Sequence, residues 1–389
     1  MKKICKLSFV LLILFAIAGT FQACKKEERG EPRIRYVRLT DAQKADSLIT
    51  SSFMGGTIAI VGENLGGVSE AWFNNRKALL VPTYISDKSL IVNVPSVVPT
   101  EITNKIKLLF SNGKVLEYDF KVNVNRPLLS GMQNEYALEG QTTTIRGNFF
   151  YAPVKVIFTG GAEAEIVNFS DNIIEFKIPV GAQPGPITVS SNFGETRSNF
   201  YYKDDRNIII SSDPYIGWWG AAFVVTTPGP NDPPKINGNY IRVTRTFVAT
   251  NWVEIAGGSD QAYYNNSRRI PDESITNPDR YYLKFEVNTL KPYNGYMFRI
   301  NLALPAAANY AYLWQPPFDS KGKWETVTIP FEDVINSYKN PPTGSTAVMP
   351  IVRTNGYFTR LMFWNPTGSL DCDMAFDNFR IVPKVAPIP

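Results

Sequence analysis

Apolar and polar positions along the chain fall into three textures. Residues 7–19 are an apolar run behind Lys2, Lys3 and Lys6, and Ala23 stands directly before Cys24. The run is well short of the roughly 20 residues that span a bilayer, so it predicts a secretory signal ending at residue 23. From about residue 31 to 203 the chain alternates with period two in short runs punctuated by Gly, Asn and Pro, the pattern of strands and turns. Beyond that point Tyr281-Tyr282-Leu283-Lys284-Phe285-Glu286-Val287, Tyr296-Met297-Phe298-Arg299-Ile300-Asn301-Leu302 and Trp324-Glu325-Thr326-Val327-Thr328-Ile329 read as strands with apolar residues inward and polar ones outward. Phe376-Asp377-Asn378-Phe379-Arg380-Ile381 reads as a last strand, and only residues 332–338 read as a short helix.

The second texture repeats itself. Gly56-Thr57-Ile58-Ala59-Ile60-Val61-Gly62-Glu63-Asn64 aligns with the stretch from Gly140 to Asn148, and Gly147 falls 85 residues after Gly62. Ala71-Trp72-Phe73-Asn74 aligns with Val156-Ile157-Phe158-Thr159, and Pro179 follows Pro95 by 84 residues. A period this long means tandem domains. The glycines are expected at positive φ in tight turns, the prolines at strand ends, and Trp72 in the core. Arg126-Pro127 joins the two halves with a stiffened linker.

Composition narrows the chemistry. With 389 residues, 44% hydrophobic and 19% charged, the chain is globular, and its formal net charge of +5 forms no basic stripe of the kind that binds nucleic acid. It contains no histidine, which excludes Ser-His-Asp and Cys-His catalysis and histidine-based zinc sites. No cofactor is expected. Cys372 alternates within Asp371-Cys372-Asp373-Met374 and reads as a small buried hydrophobe.

Six of the seven tryptophans lie beyond residue 206, in what reads as a larger antiparallel sandwich of jelly-roll type. An exposed indole or phenol offers a flat apolar platform, and a pyranose ring can stack on it while Asn, Asp, Gln or Arg satisfy its hydroxyls. Tyr310, Tyr312 and Trp314 share one face of a strand that Pro316-Pro317 ends at a rim, and Tyr263-Tyr264-Asn265-Asn266 reads as an exposed loop. Both clusters are read as binding residues. Trp218 and Trp219 lie between Gly217 and Gly220 in a loop, where one of the pair can reach a ligand. Trp252, at the end of a strand over 245–252, and Trp364, sharing a face with Phe358, Arg360 and Met362, are either core or platform. Trp324 is read as structural.

These residues carry three resemblances. The junction Phe21-Gln22-Ala23-Cys24 resembles a bacterial lipoprotein signal, with Cys24 the acylated residue, and Lys25-Lys26-Glu27-Glu28 is similar to the export tag of Bacteroidetes lipoproteins. The repeats resemble IPT/TIG immunoglobulin-like domains, usually spacers or adhesive modules. The whole resembles the B-type surface glycan-binding proteins of Bacteroidetes polysaccharide-utilisation loci (the SusE/SusF position), on Arg280-Tyr281-Tyr282-Leu283-Lys284-Phe285-Glu286-Val287, Tyr312-Leu313-Trp314-Gln315-Pro316 and Gly322-Lys323-Trp324-Glu325-Thr326-Val327-Thr328-Ile329-Pro330. The resemblance implies an all-β chain: signal 1–23, charged linker 24–30, IPT/TIG-like domains 31–125 and 126–203, and a glycan-binding β-sandwich 204–389. It implies a non-catalytic lipoprotein on the outer-membrane surface that captures polysaccharide, such as a neutral β-glucan or xyloglucan, beside a TonB-dependent transporter and a SusD-like lipoprotein.

Two other readings stay open. A glycoside hydrolase needs paired carboxylates, for which Asp371 with Asp373, and Asp260, Asp272, Glu273 and Asp319, are available. An adhesin or assembly protein would use the exposed aromatics as a protein interface.

Overall fold

The structure is a computed structural model. It describes residues 30–384 apart from 45, 211, 214, 216–219, 250–251, 260–269, 305–311, 316–318, 341–357 and 366–367; of 252, 258–259, 302–304, 358–359 and 364 only the backbone is described. The signal segment and Cys24 thus lie outside it. The all-β expectation is borne out. The chain divides into two compact units, one ending at Val124 and the other beginning at Asn125.

The first unit contains β1 (Arg33–Leu39), β2 (Ser51–Phe53), β3 (Thr57–Glu63), β4 (Val68–Phe73), β5 (Arg76–Lys77), β6 (Ser89–Asn93), β7 (Lys105–Phe110), β8 (Val115–Asp119) and β9 (Lys121–Asn123). Sheet β1-β3-β6 packs over sheet β5-β4-β7-β8, with Ile58, Ile60, Phe73, Leu90 and Leu108 between them. Trp72 is not in that core. Ala71 and Phe73 take the inward positions, so strand alternation turns Trp72 outward, half-buried, where its indole N–H donates to Glu70 at 2.8 Å.

The second unit opens with the same plan in β10 (Leu128–Met132), β11 (Thr142–Asn148), β12 (Lys155–Thr159), β13 (Glu165–Phe169), β14 (Ile173–Lys177), β15 (Gln183–Ser191) and β16 (Gly194–Tyr202). Its sheets are β10-β11-β14-β13 and β12-β15-β16. Backbone angles put the repeat here in the register of Gly62 with Gly147, one residue from the alignment of Gly56 with Gly140: Gly55 and Gly140 both have φ 77°, and Asn64 and Phe149 are both left-handed. Gly62 and Gly147 have a different cause from the turns expected of them. Each sits in a strand beside a bulge in its neighbour, and a Cβ there would lie 2.0 Å from the Arg33 carbonyl oxygen or 1.9 Å from that of Leu128. Close backbone approach demands glycine at both positions.

A third core follows in the same unit. Its strands are β17 (Val224–Val225), β18 (Tyr240–Phe247), β19 (Trp252–Ser259), β20 (Tyr281–Thr289), β21 (Met297–Leu304), β22 (Tyr312–Trp314), β23 (Trp324–Pro330), β24 (Phe358–Trp364) and β25 (Leu370–Pro383), with helices α1 (Asp272–Thr276) and α2 (Phe331–Lys339). Trp252 therefore opens β19 and does not end the strand before it. Sheet β17-β18-β25-β20-β23 faces sheet β19-β24-β21-β22 across a core rich in aromatics, including Phe285, Phe298, Phe363, Phe376 and Phe379. Helix α2 buries Phe331, Val334, Ile335 and Tyr338, one apolar stripe of a 3.6-residue period.

The polar positions of β20 are expected to face water, and together with Arg380 of β25 they do not. Lys284, Glu286 and Arg380 are 4%, 0% and 0% exposed. The second immunoglobulin-like domain covers that face. Its Glu135 accepts hydrogen bonds from Lys284 at 2.5 Å and Arg380 at 2.7 Å, and Arg380 also reaches both Glu286 oxygens at 2.9 Å. Around them the Thr326 amide donates to the Gln133 carbonyl at 2.7 Å, and the Tyr136 hydroxyl donates to that of Asp204 at 2.5 Å. Beside this network Tyr136, Tyr240 and Trp324 pack together, which confirms Trp324 as structural; its indole N–H donates to the Pro234 carbonyl at 2.8 Å. Cys372 is 1% exposed, and burial pushes its thiol up to about 12.

Candidate functional site

The five-stranded sheet of the third core spends its outer face on the neighbouring domain. The four-stranded sheet lies on the other side of that core, and its strands carry Trp252, Tyr312, Trp314 and Trp364. Its register builds the face row by row. Trp252 in β19 pairs with Trp364 in β24, which pairs with Met297 in β21. One step along, Glu254, Met362 and Arg299 are aligned, and Leu313 of β22 follows Arg299. The next row is Gly257, Arg360 and Asn301. The intervening residues Val253, Phe363, Phe298, Leu361 and Ile300 belong to or pack on the core, so strand alternation turns Met297, Arg299, Glu254, Met362, Arg360 and Asn301 to the outer side. Apolar positions thus occupy one end of the face and hydrogen-bonding groups the other.

Within the polar end, Arg360 pairs with Glu254 at 2.9 Å, with 32% and 13% of the side chains exposed. Burial raises the Glu254 carboxyl above its usual range, and Arg360 opposes that shift. Asn301 is 8% exposed, and its Oδ1 meets no donor among the described residues. Glu254 and Asn301 were not singled out from the sequence. Their only signal was a polar residue between core positions, which any solvated strand also shows.

Trp314 is placed against its expected role. It is 6% exposed and pairs across from core residue Phe298, with its indole edge-on to Phe285 at 5.0 Å and Phe298 at 6.1 Å. The row containing Tyr312 and Trp314 is therefore the inward one, because their partners Ile300 and Phe298 both point into the core. Tyr312 is half-buried against the same core, and burial raises its hydroxyl. Tyr263, Tyr264 and Tyr310 lie outside the described residues. The strand ends leading towards them, Ser259 and Leu304, both pair with Phe358 at the polar end of the face. Trp218 and Trp219 also lie outside the described residues. The next residue, Gly220, has φ 93° and presses so closely on β19 that a Cβ would stand 2.1 Å from the Ile255 carbonyl oxygen.

The carboxylates of the hydrolase reading are otherwise engaged. Asp373 takes both forks of Arg242 at 3.0 Å, while Asp371 accepts from the Thr246 hydroxyl at 2.5 Å and lies 3.5 Å from the Lys291 ammonium. Asp319 accepts from the Lys321 amide and the Thr289 hydroxyl, both at 2.9 Å. Asp260 lies outside the described residues, and Asp272 and Glu273 form the first turn of α1.

The third core, from the end of β16 to the end of β25, coincides with the region that a family model matches. Residues 202–383 match the surface glycan-binding protein B xyloglucan-binding domain. An IPT/TIG domain-containing protein of Bacteroides ovatus is 22% identical to the chain, over 97% of this chain and 98% of its own length. The crystal structure of a surface glycan-binding protein B from Prevotella bryantii is 23% identical, covers 91% of this chain and 99% of its own, and superposes with a TM-score of 0.69. A structure described as containing a xylogluco-oligosaccharide is 19% identical, covering 91% of this chain and 100% of its own with a TM-score of 0.50. The resemblance to B-type surface glycan-binding proteins, and with it the succession of IPT/TIG-like domains and sandwich, is borne out.

Proposed function

We propose that the chain is a non-catalytic surface glycan-binding protein that holds a neutral β-glucan or hemicellulose, such as xyloglucan, on the outer face of the four-stranded sheet. The observation that carries this reading is the alignment of Trp252, Trp364 and Met297 across three strands, next to a polar row, in the sheet that lies across the core from the one the neighbouring domain packs on. Aromatic positions suit the apolar faces of sugar rings, and the polar groups beside them suit the hydroxyl belt. Tyr263, Tyr264, Tyr310, Trp218 and Trp219 are assigned to the same glycan site from the sequence alone.

Binding without turnover fits the engaged carboxylates of β25 and the match to a binding domain. Cys24 would carry the lipid that fixes the chain to the outer membrane, with the immunoglobulin-like domains following it in the chain before the sandwich. Many anchored copies on one polymer would turn weak sites into firm capture, delivering glycan to a TonB-dependent transporter and SusD-like partner. Affinity electrophoresis of the soluble chain through gels containing xyloglucan, mixed-linkage β-glucan or xylan tests the reading. Retardation by a neutral polysaccharide without new reducing ends is expected. Migration unaffected by every polysaccharide, or release of oligosaccharides, would overturn it.

A further inference from the structure

The junction between the second immunoglobulin-like domain and the sandwich holds open space as well as buried pairs. A cavity of 370 Å³ is lined by β11 and β14 on one side and by Pro234, Lys323 and Trp324 on the other. Its lining is graded in depth. Thr142, Pro234 and Lys323 are exposed, Gln133, Gln141, Thr144 and Glu175 are half-buried, and Thr143 is 2% exposed. The volume falls within the range of about 300–1,000 Å³ typical of small-ligand sites. The lining is also electrically balanced. Glu175 and Lys323 are its charged groups, opposite in sign, and neither enters an ion pair among the described residues. Around them the threonine hydroxyls and glutamine amides can each donate and accept. Gln141 accepts from the Leu138 amide at 2.9 Å through Oε1, which leaves its Nε2 to donate. The buried Thr143 Oγ1 has no partner among the described residues, a state that buried polar atoms rarely keep unless something supplies the bond. A smaller cavity of 260 Å³ lies along the same junction, but its buried charges, Glu135 and Lys284, already hold each other at 2.5 Å.

We propose that the larger cavity is a second sugar-binding site, which takes the end or a branch of a neutral glycan at the junction of the two domains. Opposite charges that cancel favour an uncharged ligand over an anion or a cation. Hydroxyl and amide groups that both give and take hydrogen bonds match the hydroxyls of a sugar, which do the same. Pro234 and Trp324 supply an apolar wall for the ring's C–H groups. A cavity near the lower bound for small-ligand sites admits about one or two rings, so the ligand enters by an end or a branch. The ligand class follows from this lining and not from the outer face of the four-stranded sheet, so the two sites stand or fall separately.

Calorimetric titration of the soluble chain with a xyloglucan oligosaccharide counts the sites, with thermal unfolding as the control for folding. Thr142→Arg puts a long side chain on the exposed rim, diagonal to Glu175 across the β11–β14 pair, and blocks the cavity. Glu175→Ala removes one acceptor from its wall and remains informative if the arginine disturbs the strand. The unaltered chain is expected to bind two oligosaccharides and Thr142→Arg one. Glu175→Ala is expected to weaken one of the two sites by about threefold to tenfold, the loss of one or two hydrogen bonds. If both variants titrate like the unaltered chain, the cavity holds only solvent; the junction site is wrong and the glycan-binding reading stands. If Thr142→Arg abolishes all binding while staying folded, the junction is the glycan site and the sheet-face reading fails instead. If the unaltered chain binds no oligosaccharide, both fail.

Discussion

Glu135 of the second immunoglobulin-like domain and Arg380 of the last strand meet at 2.7 Å with their side chains 1% and 0% exposed. They lie 245 residues apart in sequence. With Lys284 and Glu286 they form a balanced set of two cations and two anions, sealed between a domain resembling a spacer and the domain that carries the candidate face. A buried pair of this kind contributes little over an apolar contact, but removing one partner strands the other away from water. The second domain is therefore part of the base of the sandwich. The boundary between compact units falls instead at Val124 and Asn125.

Arg380→Met should accordingly destabilise the chain by about 3–5 kcal/mol, because it leaves the Glu286 carboxylate buried without its bidentate partner. Urea unfolding of the full chain measures this. A change below about 1 kcal/mol would show that the network is hydrated and that the junction is not sealed. The same reasoning predicts that a fragment starting at residue 204 is less stable than one starting at residue 125, since it bares Arg380, Glu286 and the Tyr240–Trp324 cluster that Tyr136 covers.

Asp377 gives the chain a pH dependence of unusual sign. It is 4% exposed, its Oδ2 has no partner among the described residues, and burial followed by repulsion from Glu286 raises its carboxyl well above the usual range. The unfolded carboxyl ionises near 3.9, whereas the folded one keeps its proton to higher pH. Between those two pKa values the native state holds more protons, so this group's contribution to stability falls as pH rises. Asp377→Asn removes the group that titrates. It should stabilise the protein at neutral pH, with the gain shrinking as pH approaches 4. Thermal melts across pH 4–8 that run parallel for the two proteins would contradict this.

How far the sequence could be read depended on whether a feature is local. The repeat and the strands of the first two domains rest on short-range patterning, and the stripe Phe331, Val334, Ile335, Tyr338 gave helix α2 directly. The period-two pattern of β20 was equally plain, yet it could not say that Lys284 and Glu286 face another domain and not water. Nor could it orient β22: Tyr312 and Trp314 must share a face, but only pairing with Ile300 and Phe298 shows that the face is inward. The row Trp252–Trp364–Met297 joins residues separated by long stretches of chain, and no local pattern brings them together.

Cys24→Ser should separate anchoring from binding. Made without its signal, the variant should be retarded by the same polysaccharides as the unaltered soluble chain. In cells it should lose incorporation of labelled fatty acid and capture of glycan at the surface. Labelled lipid persisting on the Cys24→Ser protein would place the attachment elsewhere.

Trp314 and Trp364 then provide the sharpest contrast. Trp314 fills the core against Phe285 and Phe298, so Trp314→Ala leaves a large cavity and should cost about 3–5 kcal/mol of stability. Any binding it loses should follow from unfolding. Trp364 pairs with Trp252 in the strand register, and the proposed platform predicts that Trp364→Ala weakens glycan binding by about 1–3 kcal/mol, the scale of ring stacking on an aromatic side chain. Thermal unfolding and isothermal titration with a xyloglucan oligosaccharide on both variants decide the matter. If Trp314→Ala stays fully folded while its binding disappears, β22 faces ligand and the platform lies on its row. If Trp364→Ala binds unchanged, the outer face of the four-stranded sheet is not where the glycan rests.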